Sequence, residues 1–507
     1  MIKRGLDVKL NVKPIFLGIV HKFYYEGPCR FAKGEALTPE YERLMMEELR
    51  PQFFKDVKDH LPDCVNLLKP VAAECHDDWV MPEALFDEIT AEEADAYIIS
   101  GGIARSALLI ELGERTGKPI FQDPSIFADL TAVSAALRAR GLEAYGCRTW
   151  DEIATQMRVL RVRKALRKAN ILLAVRFDSN VSKSGNDTFV SLNHVTEAFG
   201  THFRFLNLHE LIDYLEPMPE GGNYTTPGRT DTPNITPEEI EKAEALADEL
   251  LAGADDVHVE REFLVKSCKA YIEICKLLEL HDCCGFTAPC PDFCSTRRAN
   301  ESQVTFCLTH SLLNEQGIPS ACEYDIDAVL SMLILETISG REAYMGNTLP
   351  LVFEGGSLRP QKRFNIKDIA DVKDLHNLMT TSHSVAGRNF RGIGGKKASY
   401  GLRHFAYDQG FGAIMRYDFT QDKGQKITLC RLSPDCTKIF VGSGEIVGGG
   451  DYDVDNCNCY VVYRVKDQDD FYEKQCYVGN HVPLIYGDYT KELKLLGRAL
   501  GLEVLEA

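Results

Sequence analysis

Three stretches of this chain hold side chains suited to metal-assisted proton chemistry. The first is Ile318-Pro319-Ser320-Ala321-Cys322-Glu323-Tyr324-Asp325, an apolar run that ends in two carboxylates. A carboxylate closing an apolar strand is destabilising unless it is paired or bound to a cation. Glu323 therefore reads as paired or metal-bound at a functional strand end. Asp325 stands where a helix N-cap would, so capping competes with catalysis for that side chain. The second stretch, Arg341 to Asn347, ends in a carbonyl-bearing amide. The third runs from Gly479-Asn480-His481 through Leu484-Ile485-Tyr486 to Gly487-Asp488. His481 is compatible with a satisfied structural imidazole or with a metal ligand. Spacing alone does not join it to Glu323.

The elements around these residues suggest how they are positioned. Residues 318–323 read as a strand, and Ile326–Ser339 is apolar around most of the helical circumference, so that helix should be buried. Gly340 ends it, and the chain returns toward Gly346-Asn347. A strand-helix-strand unit predicts a right-handed, parallel crossover. That arrangement puts Glu323 and Asn347 at the carboxyl ends of neighbouring strands, the edge where open α/β sheets bind ligands.

The same alternation runs through the first half of the chain. Pro14–Val20, Ala96–Ser100 (ending at Gly101-Gly102), Pro119–Gln122 and Leu142–Gly146 read as strands. Helices are expected up to Arg115, near Ile126–Arg140 and over Asp151–Lys168. Ile171–Arg176 and His202–Leu206 begin a second series, followed by a polar connection over Pro217–Pro233. Thr236-Pro237-Glu238-Glu239 is a capping-box signature opening a helix to about Leu251, and Val259–Leu280 reads as the next. Beyond about residue 355 glycine becomes frequent, and Lys426–Leu432, Thr437–Val441 and Tyr460–Val465 look β-rich before a final helix near Lys491–Leu500. The expected class is α/β. Two parallel-sheet α/β domains (1–168 and 169–355, the latter carrying Glu323) precede a β-rich, barrel-like C-terminal domain (356–507) that carries His481.

Composition narrows the function classes. With 57 Lys+Arg against 75 Asp+Glu the formal charge is −18, which argues against nucleic acid or an anionic membrane as partner. The longest apolar runs are strand-sized, and no export signal opens the chain, so a cytoplasmic location is expected. An odd count of seventeen Cys fits reduced thiols better than a closed disulfide framework. Cys283, Cys284, Cys290 and Cys294 cluster within twelve residues but lack paired CxxC knuckles, so they read as packing thiols rather than a metal cluster. No glycine fingerprint for a nucleotide opens a helix after a strand; Gly392-Ile393-Gly394-Gly395-Lys396-Lys397 reads as a loop.

Taken together, Cys322-Glu323-Tyr324-Asp325, the buried helix to Gly340 and Tyr344-Met345-Gly346-Asn347 resemble the L-fucose isomerase/L-arabinose isomerase-like family. Further similarity lies in Leu432-Ser433-Pro434-Asp435, Gly442-Ser443-Gly444-Glu445, the run from Asn480-His481 to Gly487-Asp488, and Gly185-Asn186-Asp187-Thr188. The resemblance implies a homo-oligomeric aldose–ketose isomerase that binds a divalent metal, usually manganese, through a glutamate, an aspartate and a histidine. By position the glutamate falls on Glu323 and the histidine on His481. The aspartate falls on Asn347, which offers a carbonyl oxygen but no charge. Asp325 and Glu354, the latter between Leu351-Val352-Phe353 and Gly355-Gly356, are the acids nearest in sequence that could make up the deficit.

Such an enzyme moves a proton between adjacent carbons through a cis-enediol, with the metal acting as Lewis acid. Glu323 would be ligand and base, His481 a ligand, Asn347 a weak ligand or substrate contact, and Asp325 or Glu354 the second acid/base. Arg297, Arg298, Arg388 and Arg391 are candidates to bind an anionic sugar substituent, sulfonate or phosphate, with solvated surface arginine as the competing reading. Two other classes stay open: a non-catalytic sugar-binding or regulatory protein, and a metal-dependent lyase or epimerase.

Overall fold

The computed structural model describes residues 1–22, 34–76, 80–100, 106–125, 127–175, 189–219, 232–294, 296–354, 357–358, 369, 371–405 and 410–507. Gly101-Gly102, Arg176, Gly185-Asn186-Asp187-Thr188, most of the Pro217–Pro233 connection and Gly355-Gly356 lie outside them, as does the Glu354 side chain. Two compact units are present, Val8–Arg161 and a larger one formed by Met1–Asp7 with Val162–Ala507.

In the smaller unit, buried runs of β-branched and aromatic residues form an all-parallel sheet. Its order is Val65–Leu67, Leu10–Ile19, Ala96–Ser100, Ile120–Gln122, Ala144–Tyr145, with Val71–Cys75 also paired to Leu10–Ile19. The central strands are buried almost throughout, as parallel strands covered on both faces must be. Helices at Pro39–His60, Glu83–Thr90, Ser106–Thr116 and Phe127–Arg138 supply the connections. The strands Leu10–Ile19, Ala96–Ser100, Ile120–Gln122 and Ala144–Tyr145 and the helices Ser106–Thr116 and Phe127–Arg138 agree with the sequence reading to within a few residues at the ends, whereas Pro39–His60, Val65–Leu67, Val71–Cys75 and Glu83–Thr90 are absent from that reading.

The larger unit contains a second parallel sheet, ordered Ser320–Ala321, Gly285–Thr287, Asn170–Val175, His202–Asn207. Its helices include Pro237–Gly253, which begins with the predicted capping box: Thr236 Oγ1 accepts from Glu239 N–H and the Glu239 carboxylate accepts from Thr236 N–H. A seven-stranded, largely antiparallel sheet follows, ordered Asn347–Pro350, Leu378–His383, Cys459–Arg464, Lys438–Gly450, Lys426–Leu432, Leu484–Tyr486, with Glu503–Glu506 added in parallel to Lys438–Gly450. Among the described residues its pairings do not close into a barrel. No described helix is long and apolar enough to cross a membrane.

One expected unit folds differently. The 318–323 strand is only Ser320–Ala321, and the segment returning from the Ile326–Ser339 helix does not rejoin that sheet. It enters the antiparallel sheet instead, where Asn347–Pro350 pairs with Leu378–His383 over four residue pairs. A two-residue strand offers little ladder, whereas Leu378–His383 offers six residues already held by Cys459–Arg464. The parallel crossover is thus replaced by a helix that links two sheets. That helix is buried on nearly every face, as its composition predicts.

Candidate metal centre

Glu323 is aimed by strained backbone. Beyond Ser320–Ala321 the chain turns through two consecutive left-handed residues, Glu323 (φ 61°) and Tyr324 (φ 56°). Neither is glycine, and each such placement costs about 1–2 kcal/mol. The turn is held by Tyr324 N–H donating to Ala288 C=O (2.9 Å) and Asp325 N–H to Cys322 C=O (3.3 Å). Backbone strain of this kind concentrates at functional positions.

His383 ends the Leu378–His383 strand, and His481 faces Asn347 across an isolated antiparallel bridge. These placements bring both imidazoles to Glu323. His383 Nε2 lies 3.3 Å from Glu323 Oε1, and His481 Nε2 lies 3.6 Å from Glu323 Oε2. The two rings meet edge to face with centroids 5.3 Å apart. One donor atom from each residue falls within 4.8 Å of the other two. The His481 side chain is fully buried and that of His383 nearly so, while Glu323 keeps 26% of its side chain exposed. The cluster opens on the carboxylate side.

This donor set fits a divalent cation. One carboxylate and two imidazoles are ligands for manganese, iron or zinc rather than for calcium, which takes oxygen alone. Bonds of about 2.1 Å at tetrahedral or octahedral angles separate ligand atoms by roughly 3.0–3.4 Å; the imidazoles stand 3.3 and 3.6 Å from the carboxylate and the three donors within 4.8 Å of one another, so binding would draw the set in. His481 is also oriented as a ligand should be: its Nδ1 lies 3.0 Å from Asp325 Oδ2, which assigns the ring proton there and turns Nε2 toward Glu323.

Asp325 has several tasks. Its Oδ1 caps the Ile326–Ser339 helix by accepting from Ala328 N–H (2.8 Å). Arg431 donates to both oxygens (2.8 and 3.1 Å) and to His481 C=O and Val478 C=O. Burial alone would push the Asp325 carboxyl up; the Arg431 guanidinium and the His481 ring outweigh it and hold it below its ordinary range. Neighbouring Asp327, with Arg431 3.8 Å away, is pushed up to about 7 by burial.

The remaining sequence-derived candidates lie as follows. Asn347 sits beside the cluster through its bridge to His481, and its Oδ1 accepts from Asn480 Nδ2 at 3.1 Å. Glu354 belongs to a two-residue strand, Phe353–Glu354, paired with Ser357–Leu358. Arg297 is 91% exposed beside Glu301, and Arg298 pairs with Asp213. Arg388 is buried, binds both Glu315 oxygens and lies over the Tyr400 ring. Arg391 is paired with Asp422. The arginines therefore engage protein carboxylates, none of them in the Glu323 cluster. His383 was missed from sequence: it closes Leu-Met-Thr-Thr-Ser-His, a run whose short hydroxyl residues blur strand alternation. A lone imidazole ending a β-rich segment was the only signal for it.

No family model matches this chain. It is 24% identical over 371 residues to sulfoquinovose isomerase from Alkalicoccus urumqiensis, an alignment covering 70% of this chain and 69% of that protein.

Proposed function

We propose that this protein is a metal-dependent aldose–ketose isomerase acting on a monosaccharide. The observation that carries this reading is the convergence of Glu323, His383 and His481 from distant parts of the chain on one point. The relative's name adds support, since it too is a sugar isomerase.

Glu323, His383 and His481 would hold the cation, manganese being the first to test. A bound divalent cation would supply Lewis acidity to a carbonyl and the adjacent hydroxyl of the sugar. Glu323, as the exposed member, takes the proton from the carbon next to the carbonyl and returns it to the neighbouring carbon through a cis-enediol. Base catalysis of this kind is worth about 10²–10⁴-fold. Asp325 acts as a positioning residue, since its oxygens already serve the helix cap, Arg431 and His481. Asn347 braces the His481 backbone rather than supplying charge.

A sulfonated substrate is the more specific variant. Sulfoquinovose is a sulfonated aldose, and the relative is named for it. The test pairs Glu323→Gln with a substrate panel. Loss of both turnover and bound metal in the variant supports the assignment; unchanged turnover and metal content overturns it. Sulfonated, phosphorylated and neutral deoxy-aldoses assayed side by side decide the substrate class.

A further inference from the structure

Of the cysteine cluster in the sequence, Cys283 is part of a hydrophobic core against which Cys294 also packs. Cys290 and Cys294 lie one turn apart on the Cys290–Cys294 helix with their sulfurs 3.4 Å apart. Both are partly exposed. The segment leading into this helix is tied to the turn that carries Glu323: Ala288 C=O, two residues before Cys290, accepts from Tyr324 N–H (2.9 Å). Cys307, which is buried, accepts from Ser384 Oγ (3.3 Å), and Ser384 follows His383. Two thiols within contact, partly exposed and two residues beyond a backbone hydrogen bond to the turn that carries Glu323, have no part in the isomerase chemistry proposed above.

We infer that Cys290 and Cys294 form an oxidisable dithiol whose conversion to a disulfide by a hydroperoxide weakens cation binding at Glu323, His383 and His481. The second half of this inference rests on the reading of that cluster as a cation site. The chemistry balances with the peroxide as the sole oxidant. The Cys290 sulfur attacks the peroxide, its O–O bond breaks, and sulfenic acid and an alcohol (or water) form. The Cys294 sulfur then attacks the sulfenic sulfur, the S–S bond forms, and water leaves with the remaining thiol proton.

The helix permits this closure. Four residues of helix rise about 6 Å, inside the roughly 4.4–6.8 Å Cα separation a disulfide spans. The sulfurs must close from 3.4 Å to about 2.05 Å, which pulls on the start of the helix and on Ala288 two residues before it. Ala288 C=O holds Tyr324 N–H in a turn whose residues Glu323 and Tyr324 are strained, so a displacement there shifts Glu323.

The full-length protein is treated with one equivalent of hydrogen peroxide and digested for peptide mapping. The expected product is a single disulfide joining Cys290 and Cys294, with Mn²⁺ affinity by calorimetry lowered at least fivefold and restored by dithiothreitol. Cys294→Ser should stop at a sulfenic acid on Cys290, trapped by dimedone. Reduced Cys290 and Cys294 after treatment, a disulfide joining other cysteines such as exposed Cys457, or unaltered Mn²⁺ affinity in the disulfide form each overturns the inference. Absence of Mn²⁺ binding to the reduced protein overturns the cation site and the linkage, while the peptide map still decides the disulfide.

Discussion

The Asp325 carboxylate caps the Ile326–Ser339 helix and also lies 3.0 Å from the Nδ1 of His481, 156 residues away in sequence. A helix start and an imidazole of the proposed metal site are thereby held by one side chain, with Arg431 binding its remaining edge. Partners of this kind to metal-bound histidines are commonly worth 10–100-fold in metal affinity. Asp325→Asn keeps a good N-cap but loses the charge that steadies His481 and Arg431. We expect Mn²⁺ affinity to fall about 10–100-fold, measured by calorimetry on folded protein. Affinity equal to that of the parent would show that His481 needs no such support.

The ligand inferred by position and the one proposed from geometry can be separated directly. Asn347 gives its side-chain oxygen to Asn480, whereas His383 presents Nε2 3.3 Å from Glu323. His383→Ala should therefore abolish stoichiometric metal and turnover together. Asn347→Ala should retain metal and lose affinity by less than about threefold, under 1 kcal/mol. Elemental analysis of the two purified variants reads the difference, and the reverse ranking would restore Asn347 as the ligand.

Much of the fold was legible because local signals and burial agree. Ile326–Ser339 was placed to the residue, since Asp325 caps it, Gly340 (φ 67°) stops it and nine of the fourteen side chains between are apolar. The Thr236 capping box was equally direct. Pairing between distant strands was not legible: nothing in Ser320–Ala321 or Asn347–Pro350 says which sheet each joins, and that choice depended on partners available far along the chain. The site followed the same division. Glu323 and His481 stood out by residue type and neighbourhood, while His383 became visible only when Leu378–His383 paired with Asn347–Pro350 and Cys459–Arg464.

Buried acids away from the site give stability a pH dependence of known sign. Glu342 is fully buried, and burial, with nearby Glu315, pushes its carboxyl well above the ordinary range despite backbone N–H donors from Asn389 and Gly387. The folded state then holds a proton that the unfolded state releases above about pH 4.3. This contribution is fully present below that pH and declines as pH rises, by up to about 1.4 kcal/mol per pH unit, until the folded-state carboxyl titrates. Glu342→Gln removes the group and keeps an acceptor for Asn389 N–H. The variant should match the parent near pH 5 and exceed it increasingly toward pH 8 in denaturant titrations. Parallel stability curves for the two proteins would refute the assignment.

Strain at Glu323 sets stability against function at one residue. A left-handed φ of 61° is unfavourable for a glutamate by about 1–2 kcal/mol, and glycine relieves it. Glycine also raises the entropy of the unfolded chain, which offsets roughly 0.5–1 kcal/mol of the gain. Glu323→Gly is therefore expected to be at least as stable as the metal-free parent, by up to about 1 kcal/mol on this balance, while losing metal binding and turnover. Glu323→Gln keeps the strain and should show no such gain. Thermal unfolding of the three proteins in the presence of a chelator makes the comparison. A Glu323→Gly variant markedly less stable than Glu323→Gln would mean that the carboxylate stabilises the turn, and that the left-handed backbone is a consequence of packing rather than a conformation maintained for the ligand.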